Sequence, residues 1–451
     1  MRRRMWVGAG AMGAVITILL LACSGCGTVG VLMGRIKLAG PRAPIPESVT
    51  KDKIVNKGAA DWPKWRGPDG TGKSNSRGIR TNWDGGLPEL WKVAFLCQGK
   101  KTASWSTPVV QGDRLLVPGR DTDRDIIFCL HAGTGALLWQ GSDFAPAPAG
   151  HGSGARATPC IDDDRVYTFG RSGILTCRRI VDGSVIWRKN VGHTGGVAPK
   201  WGHSSSPLVL QNRVIVQTGG AAVAMAYDKM TGKVLWQSPA GPAAYGAPVP
   251  AGGGKRVLVF AGEGLACLDS GSGKELWLAR WETKYGVNAT TPVVAGDVVV
   301  ISSGYKAGGQ ALRMRDDGAD VLWTSTTYAS QHSDPIVIDG YLYGYSGQSY
   351  QNKGDFVCVD LGTGTEKWRS NEVGWGTTVY VDGHFLCLDI KGNLYLVKAD
   401  TKGLTRVAEH REVLGRLSAP AWTCPVVANG RVYLRYMQRL HCYNLMPSAI
   451  K

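Results

Sequence analysis

The chain has 451 residues and a formal net charge of +17, and it contains 62 glycines, 16 tryptophans and 43% hydrophobic residues. This composition indicates a folded, turn-rich protein and excludes a disordered or fibrous chain. The first 60 residues carry a net charge of +7, and the remaining +10 is spread without any block of five like charges. We predict no nucleic-acid partner, because nucleic-acid binding needs a focused basic surface.

The N-terminus has the pattern of an export signal. Arginines at positions 2–4 precede an uncharged stretch over residues 5–34, whose apolar centre lies at residues 15–21. Residues 20–23, Leu-Leu-Ala-Cys, resemble a bacterial lipobox, so Cys23 is the lipidation candidate of a predicted lipoprotein. An uncleaved membrane anchor, for which about 20 apolar residues suffice, and simple secretion are the alternatives.

These patterns divide the chain into three parts. Residues 1–22 are a signal peptide or membrane anchor, residues 23–60 are a flexible tether with little apolar content, and residues 61–451 are the folded body. All three alternatives for the N-terminus export the body. We predict a location on the periplasmic side of a membrane or at the outer membrane, anchored by the N-terminus.

The body is built from a repeat of about 41 to 49 residues. Each unit opens with a β-branched strand, in most units directly after a proline, which a sheet tolerates at the first residue of a strand. A second strand follows, and then a hairpin whose turn contains Asp and Gly. The last strand of the hairpin ends in a tryptophan, which we predict to pack at the seam between units; these are Trp139, Trp187, Trp236, Trp277, Trp323 and Trp368.

The repeat predicts an all-β fold, an eight-bladed β-propeller of four-stranded antiparallel blades. Eight units can be counted, but the last one begins at Cys424 and ends near Asn444 after three strands. Leu90 and Trp91 supply the missing fourth strand from the other end of the chain. The predicted ring is therefore closed by an N-terminal strand that completes the last blade, and we expect it to be a monomer.

Cysteines recur just before the hairpin turn in five units. Equivalent positions in stacked sheets lie about 10 Å apart, whereas a disulfide needs Cα atoms within about 7 Å. We therefore predict buried, unpaired thiols that act as small hydrophobic side chains, at Cys129, Cys177, Cys267, Cys358 and Cys442.

The hairpin phrase D-x-x-T-G-x-x-x-W, as at residues 228–236, resembles the repeats of the quinoprotein (pyrroloquinoline-quinone-like) β-propeller superfamily. That superfamily includes quinoprotein alcohol dehydrogenases and the lipoprotein scaffold of the outer-membrane β-barrel assembly machinery. The W-P-x-W-R-G-P phrase at residues 62–68 is similar to the first segment of planctomycete-type exported propellers. The resemblance implies the fold, whereas function must be argued from a site.

The quinoprotein resemblance raises the question of whether this chain is an enzyme. The superfamily's dehydrogenases use a quinone, a Ca²⁺ held by acidic and Asn side chains, an Asp base and often adjacent cysteines. This sequence has no adjacent cysteines, and its densest acidic cluster, Asp162, Asp163 and Asp164, falls in a turn where Asp is favoured for turn geometry. We predict no catalytic residues, no metal site and no cofactor; the alternative is a dehydrogenase of alcohols or sugars that uses pyrroloquinoline quinone with calcium.

Residues that precede the first strand of each unit should meet at one mouth of the central channel. Arg, His, Asn and aromatic side chains in one concavity suit an anionic or planar ligand, although channel mouths also need polar and aromatic side chains simply to fill them. The ligand-binding candidates are Trp105, Arg156, His203, Tyr245, Asn288, His332, Trp375 and Trp422.

Taken together, these patterns favour an exported, membrane-tethered propeller that serves as a non-catalytic scaffold for proteins of the cell envelope. The first alternative is a quinone-dependent dehydrogenase or small-ligand-binding propeller that uses the channel mouth. The second is carbohydrate binding through Trp375 and Trp422.

Overall fold

Each predicted unit forms one antiparallel sheet whose four main strands follow one another from the channel to the outer edge. The computed structural model describes residues 58, 60–99, 102–146, 152–348 and 351–447. Eight such sheets occur in this part of the chain, so the prediction of an all-β, eight-bladed propeller is confirmed. Cys23 and the predicted signal and tether lie outside the described residues, apart from residues 58 and 60.

Three short strands precede the first blade: β1 (Lys73–Ser74), β2 (Glu89–Val93) and β3 (Cys97–Gln98). The first four blades then comprise β4 (Val109–Gln111), β5 (Arg114–Asp121), β6 (Arg124–His131) and β7 (Leu137–Phe144); β8 (Cys160–Asp162), β9 (Arg165–Phe169), β10 (Ile174–Arg179) and β11 (Val185–Asn190); β12 (Leu208–Leu210), β13 (Arg213–Gly219), β14 (Ala222–Asp228) and β15 (Val234–Gln237); and β16 (Val249–Ala251), β17 (Arg256–Ala261), β18 (Gly264–Asp269) and β19 (Glu275–Arg280).

The second half of the ring repeats the pattern. Its blades comprise β20 (Val293–Ala295), β21 (Val298–Ser303), β22 (Gly308–Met314) and β23 (Ala319–Ser325); β24 (Ile336–Ile338), β25 (Tyr341–Gln348), β26 (Lys353–Asp360) and β27 (Glu366–Ser370); β28 (Gly376–Val381), β29 (His384–Asp389), β30 (Leu394–Ala399) and β31 (Leu404–His410); and β32 (Val426–Ala428), β33 (Arg431–Tyr436) and β34 (Arg439–Asn444). Short 3₁₀ helices span Val191–Thr194, Gly252–Gly254 and Lys284–Gly286. Within the described residues no helix has the length and apolar character needed to cross a bilayer.

Strand β2 occupies the outer edge of the eighth blade. It pairs antiparallel with β34, with Trp91 opposite Cys442 and Lys92 opposite His441. The His441 Nδ1 lies 2.7 Å from Glu89 Oε1 across the same pair of strands. The sheet therefore joins residues from both ends of the body in the order β2, β34, β33, β32.

Tryptophan and glycine join neighbouring blades by one repeated contact. The Trp139 indole Nε1 donates to the Ile180 carbonyl of the next blade at 2.9 Å, and the indole ring lies against the turn glycine Gly183. The prediction that these tryptophans pack at the seams is confirmed. Equivalent indole-to-carbonyl bonds run from Trp91 to Ala132, Trp187 to Lys229, Trp236 to Ser270, Trp323 to Leu361 and Trp368 to Asp400.

Two seams depart from this rule. The last strand of the seventh blade, β31, has no tryptophan, and the seam between the fourth and fifth blades has the tryptophan without the hydrogen bond. The facing hairpin turn of the fifth blade, at Gly318, lies five rather than four residues before its Trp323. The Trp277 indole Nε1, which would reach this turn, is buried without a hydrogen-bond partner among the described residues. The acceptors of the other tryptophans lie three residues before the turn glycine, and the carbonyl at this position, Arg315, instead accepts from Arg256 Nη1 at 2.8 Å.

The five repeated cysteines are buried and unpaired, as predicted. Each lies opposite a tryptophan on the adjacent strand, for example Cys267 opposite Trp277 and Cys358 opposite Trp368. A small side chain leaves room for the large indole beside it. Burial raises the pKa of the Cys267 thiol to about 11, so this group stays protonated and apolar at neutral pH.

The segment before the first blade runs into the central channel, and we call residues 61–76 the channel segment. Trp62 forms a β-bridge with Val110 of the first blade. Further along, β1 pairs in parallel with the innermost strand β28, and Ser74 Oγ donates to the Val427 carbonyl at 2.8 Å. The conspicuous W-P-x-W-R-G-P phrase is therefore an internal element that contacts several blades at once.

Candidate functional site at the channel mouth

The connections that lead into the first strands surround a cavity of about 490 Å³ at one mouth of the channel. Its size falls in the range of about 300–1,000 Å³ that ligand pockets occupy. Of the eight residues predicted to meet there, five line the cavity: Trp105, Arg156, Tyr245, His332 and Trp422. They come from five different blade connections, so the ring brings together positions far apart in sequence.

Aromatic rings form two walls of this mouth cavity. On one side, Trp105 and Trp422 have centroids 5.2 Å apart and ring planes tilted by 49°, and His332 stacks on Trp422 at 5.6 Å. On the other side, Trp201 and Tyr245 lie 5.7 Å apart with a tilt of 44°. Within each wall, neighbouring rings are therefore inclined to one another.

The channel segment forms the floor of the mouth cavity. The Trp65 indole Nε1 donates to Thr291 Oγ1 at 2.7 Å. The buried Arg66 guanidinium lies 3.2 Å from Asp334 Oδ2 and donates to the Pro335 carbonyl at 2.7 Å. A second cavity of about 250 Å³ is lined by Trp65 and Arg66. Because Trp65 lines both cavities, its indole lies between them.

The mouth cavity is electropositive. Arg156 donates from Nη1 to the Trp201 carbonyl at 3.1 Å, and burial together with the nearby Arg171 charge lowers its pKa to about 10, which still leaves it charged at neutral pH. At the rim, the Lys200 ammonium lies 5.4 Å from the centroid of the Trp201 ring. His332 faces the cavity beneath this rim, where shielding from bulk water and the charge of Arg156 lower its pKa to about 4.

Two hydrogen-bond donors of the walls donate to no atom of the described residues. They are the Tyr245 hydroxyl, which is contacted by the Trp201 backbone N–H, and the Trp422 indole Nε1. Burial raises the pKa of Tyr245, so its hydroxyl keeps its proton. Since buried polar groups are ordinarily paired, these two atoms mark positions where a ligand's acceptors, or water, would be held.

The structure does not bring three of the predicted residues into the mouth cavity. His203 is 3% exposed and packs on Phe169, with ring centroids 4.9 Å apart. Asn288 is fully buried and donates to the carbonyls of Ala261 and Trp281. Trp375 packs edge-on against Tyr345 in the core. These side chains hold the connections in place beneath the surface of the mouth.

Other lining residues were missed by the sequence reading, namely Trp65, Trp201, Tyr305, Gln331 and Asn352. Trp65 lies in the first conspicuous phrase of the body, but no periodicity indicates that this phrase enters the channel. Trp201 lies two residues before His203 in a connection of irregular length. Alignment of the repeats therefore selected His203, whereas Trp201, two residues earlier, lines the cavity.

The quinone-with-calcium cofactor of the related dehydrogenases can be tested against these side chains. Ca²⁺ takes six to eight oxygen ligands, with carboxylates prominent among them. Among the described lining residues Asp334 is the one carboxylate, and it is held by Arg66 and by the Thr291 backbone N–H at 2.9 Å. The described residues also contain no cluster of three or more His, Cys, Asp and Glu with metal-binding spacing. The calcium part of such a site does not fit these residues.

Comparison with known proteins gives one curated relative and several similar structures. Tetrathionate hydrolase of Acidithiobacillus ferrooxidans is 25% identical over 199 residues, which cover 40% of this chain. The match spans 37% of that protein, little more than a third of its length.

Solved structures similar to this chain include BamB and two dehydrogenases. BamB from Moraxella catarrhalis matches with a TM-score of 0.58 and 17% identity, covering 81% of this chain and 99% of that one. A europium-containing methanol dehydrogenase matches with a TM-score of 0.60 and 13% identity over 84% and 90% of the two chains. The quinohemoprotein alcohol dehydrogenase from Comamonas testosteroni matches with a TM-score of 0.61 and 12% identity, covering 89% of this chain and 84% of that one. At these identities the likeness concerns the fold alone.

A family model covers more than half of the chain. The model, described as outer membrane protein assembly factor BamB, matches residues 123–370. This region runs from the third strand of the first blade to the last strand of the sixth. The chain therefore belongs to the BamB-like PQQ_2 family of β-propellers.

Proposed function

We propose that this protein is an exported, non-catalytic scaffold that binds other proteins of the bacterial cell envelope. The observation that carries the proposal is membership of a family described as an outer membrane protein assembly factor. The ion pair between Arg66 and Asp334 adds support, because it occupies the carboxylate that a metal or a general base in the mouth cavity would need. His332, with a pKa of about 4, is neutral near pH 7 and a weak base.

The outer edge of the second and third blades is the surface on which we expect a partner to dock. Val185 of β11 and Val234 and Leu235 of β15 are each more than 40% exposed, as is Met230 in the turn before β15. The outermost strand of a blade also leaves one row of backbone groups available for pairing. An added strand from a partner would gain both backbone hydrogen bonds and apolar contacts there.

The docking surface is tested with the full-length protein in its own envelope. Replacement of Val234 and Leu235 by Glu should abolish cross-linking to the partner that the wild type captures, because a partner strand would then bury two charges. Val321→Glu, at the equivalent position of β23, is the matched control and should leave capture intact. Equal capture by all three proteins would refute this surface.

The enzymatic alternative has a direct assay. Protein incubated with pyrroloquinoline quinone and Ca²⁺ should show neither quinone absorbance after desalting nor dye-linked oxidation of alcohols or sugars. Turnover that disappears in Arg156→Gln would overturn the non-catalytic proposal, because Arg156 lines the mouth cavity.

Membrane tethering by the N-terminus is part of the same proposal. Mass spectrometry of the mature protein should find an acylated Cys23 as the first residue. An intact Met1 would exclude lipidation and favour the anchor, whereas an unmodified N-terminus in the soluble fraction would indicate simple secretion.

A further inference from the structure

The ring closes at a seam whose last strand, β31, has no tryptophan. The neighbouring eighth blade takes its outer strand β2 from the other end of the body. We call residues 79–93, which end in β2, the clasp. Trp83 and Leu87 of the clasp are buried in the same core cluster as Val413 and Leu414, which follow β31. The clasp therefore holds the ring closed by packing across this seam.

His410, the last residue of β31, makes the contacts that an indole makes at the other seams. Its imidazole packs on Gly86, where a Cβ atom would lie 3.0 Å from the ring carbon Cε1. Its Nδ1 lies 3.1 Å from the backbone nitrogen of Leu87. The direction of the hydrogen bond is reversed, because the indoles donate to a carbonyl whereas His410 accepts from an N–H.

This hydrogen bond exists in only one protonation state of His410. A backbone N–H only donates, so Nδ1 must carry a lone pair and the ring proton must lie on Nε2. An imidazolium has a proton on both ring nitrogens and cannot accept. Protonation therefore removes the acceptor of the Leu87 N–H, and a donor left unpaired beside a buried side chain is costly.

The charged group that faces His410 from the clasp is Glu89, and its carboxylate is already engaged. Oε1 lies 2.7 Å from His441 Nδ1, and Oε2 lies 3.9 Å from the Lys92 ammonium. His441 keeps its bond to this carboxylate when it is protonated. Burial lowers the pKa of His441 as well, so His441 adds to the acid sensitivity of the clasp without losing a hydrogen bond.

The other groups around His410 offer an imidazolium little compensation. From β34, the Tyr443 ring meets the His410 ring edge-on with centroids 5.5 Å apart. Along its own chain, Glu409 and Arg411 pair with each other at 3.1 Å. Burial lowers the pKa of His410 despite the Glu89 charge, so the imidazole is neutral and able to accept at neutral pH.

We propose that the clasp is an acid-sensitive closure of the ring, which opens when His410 takes up a proton on Nδ1 and releases the Leu87 N–H. Release of the clasp leaves the backbone edge of β34 unpaired. The ring then has a second, open conformation whose population depends on pH. This device is independent of the proposed scaffold function, which uses the outer edges of the second and third blades.

The pH window follows from the direction of the pKa shift. A histidine whose pKa is lowered in the closed state stabilises that state fully above the unfolded value of about 6.5, and the contribution is lost as the pH falls below it. An unpaired buried donor corresponds to roughly 5- to 100-fold in the opening equilibrium. We expect the opening constant of the clasp to rise roughly tenfold between pH 7.5 and pH 5, above the range near pH 4 in which carboxylates titrate.

Hydrogen exchange of the full-length protein, followed by mass spectrometry, measures this opening. Protection factors of the clasp and of β34 are compared at pH 7.5, 6 and 5, after correction for the pH dependence of intrinsic exchange. Protection of the clasp should fall roughly tenfold over this range, whereas β13 and β14 of the third blade should stay protected.

Variants assign the opening to His410. His410→Asn places an amide oxygen near the position of Nδ1 and does not titrate, so it should reduce the fall in protection by roughly tenfold. His410→Ala removes the acceptor and should lower protection of the clasp already at pH 7.5. His203→Gln replaces a buried histidine that packs on Phe169, away from the clasp; it is the matched control and should keep the fall seen in the wild type.

Three results would overturn this proposal. The first is protection of the clasp that does not change between pH 7.5 and pH 5, or that falls equally in wild type and His410→Asn. The second is a fall that persists in His410→Asn and disappears in His441→Asn, which would assign the effect to the pair of His441 and Glu89. The third is an equal loss of protection in the clasp and the third blade, which would indicate acid unfolding of the whole ring.

Discussion

Replacement of Gly183 by Ala tests the contact that joins the blades. Gly183 has φ +74°, and a Cβ atom placed on it would lie 2.4 Å from Cε3 of Trp139. The ring cannot stay where it is, and its movement removes the hydrogen bond from Nε1 to the Ile180 carbonyl. The substitution therefore disturbs the backbone, the packing and one hydrogen bond at the seam of the first and second blades.

The size of the effect follows from these three parts. An alanine in the left-handed region costs about 1–2 kcal/mol, crowding of a packed site about 1–3 kcal/mol, and a lost hydrogen bond about 0.5–1.5 kcal/mol. We expect Gly183→Ala to lower the free energy of unfolding by about 4 kcal/mol. The matched control is Gly383→Ala, where φ is +78° and no atom lies within 4 Å of the new Cβ, so that the backbone cost of about 1–2 kcal/mol remains alone.

The assay is urea unfolding followed by circular dichroism, with Trp139→Ala as a second background. Without the indole ring, Gly183→Ala should cost no more than the Gly383 control, which makes the double-mutant cycle strongly non-additive. Equal destabilisation by the two glycine variants, or an additive cycle, would refute the argument that the tryptophan contact holds the blades together.

Three further predictions concern other parts of the molecule. Arg66→Gln should destabilise the protein by about 3 kcal/mol, because it leaves a buried carboxylate without its partner; urea unfolding measures this. Burial lowers the pKa of His203 to about 4, so protonation of this imidazole favours the unfolded state. The free energy of unfolding should therefore fall by about 3 kcal/mol through this group as the pH drops from about 6.5 to 4. In His203→Gln the free energy of unfolding should depend less steeply on pH over this range. Trp236→Phe should cost about 1 kcal/mol more than Trp277→Phe, since the Trp236 indole donates to the Ser270 carbonyl whereas the Trp277 indole makes no hydrogen bond with the described residues.

Each of these predictions has a control or a result that contradicts it. Arg280→Gln breaks an exposed ion pair with Glu263 and should cost less than about 1 kcal/mol; an equal cost for Arg66→Gln would contradict the role of the channel segment. Identical acid sensitivity of wild type and the His203 variant would show that this imidazole does not titrate on unfolding. Equal losses for the two tryptophan variants would indicate that the seam hydrogen bonds are negligible.

The sequence is informative wherever the structure repeats. Turn glycines such as Gly183 and seam tryptophans such as Trp139 occur at a fixed spacing, because each blade must solve the same packing problem. Local chemistry then predicts both the element and the role of the residue. Because the same pattern occurs in successive units, the sequence predicts the propeller fold without any knowledge of distant contacts.

The mouth cavity is harder to predict, because it is assembled from the parts that do not repeat. The connection before β12 places Trp201 at the cavity and buries His203, and the connection before β20 turns Asn288 inward to backbone carbonyls. Trp65 lies 226 residues before its partner Thr291 in the sequence. The lengths of the connections and the path of the channel segment determine where these side chains lie. Neither feature produces a periodic pattern in the sequence.

One ion pair links the architecture of the channel to the chemistry of the mouth. Arg66 closes the floor beneath the cavity through its bond to the Pro335 carbonyl, and the same guanidinium pairs with Asp334. The Asp334 carboxylate is therefore already engaged by the segment that forms the floor of the mouth cavity. Because Ca²⁺ takes six to eight oxygen ligands, with carboxylates prominent among them, a single engaged carboxylate among the described lining residues explains why these residues do not fit a calcium ion.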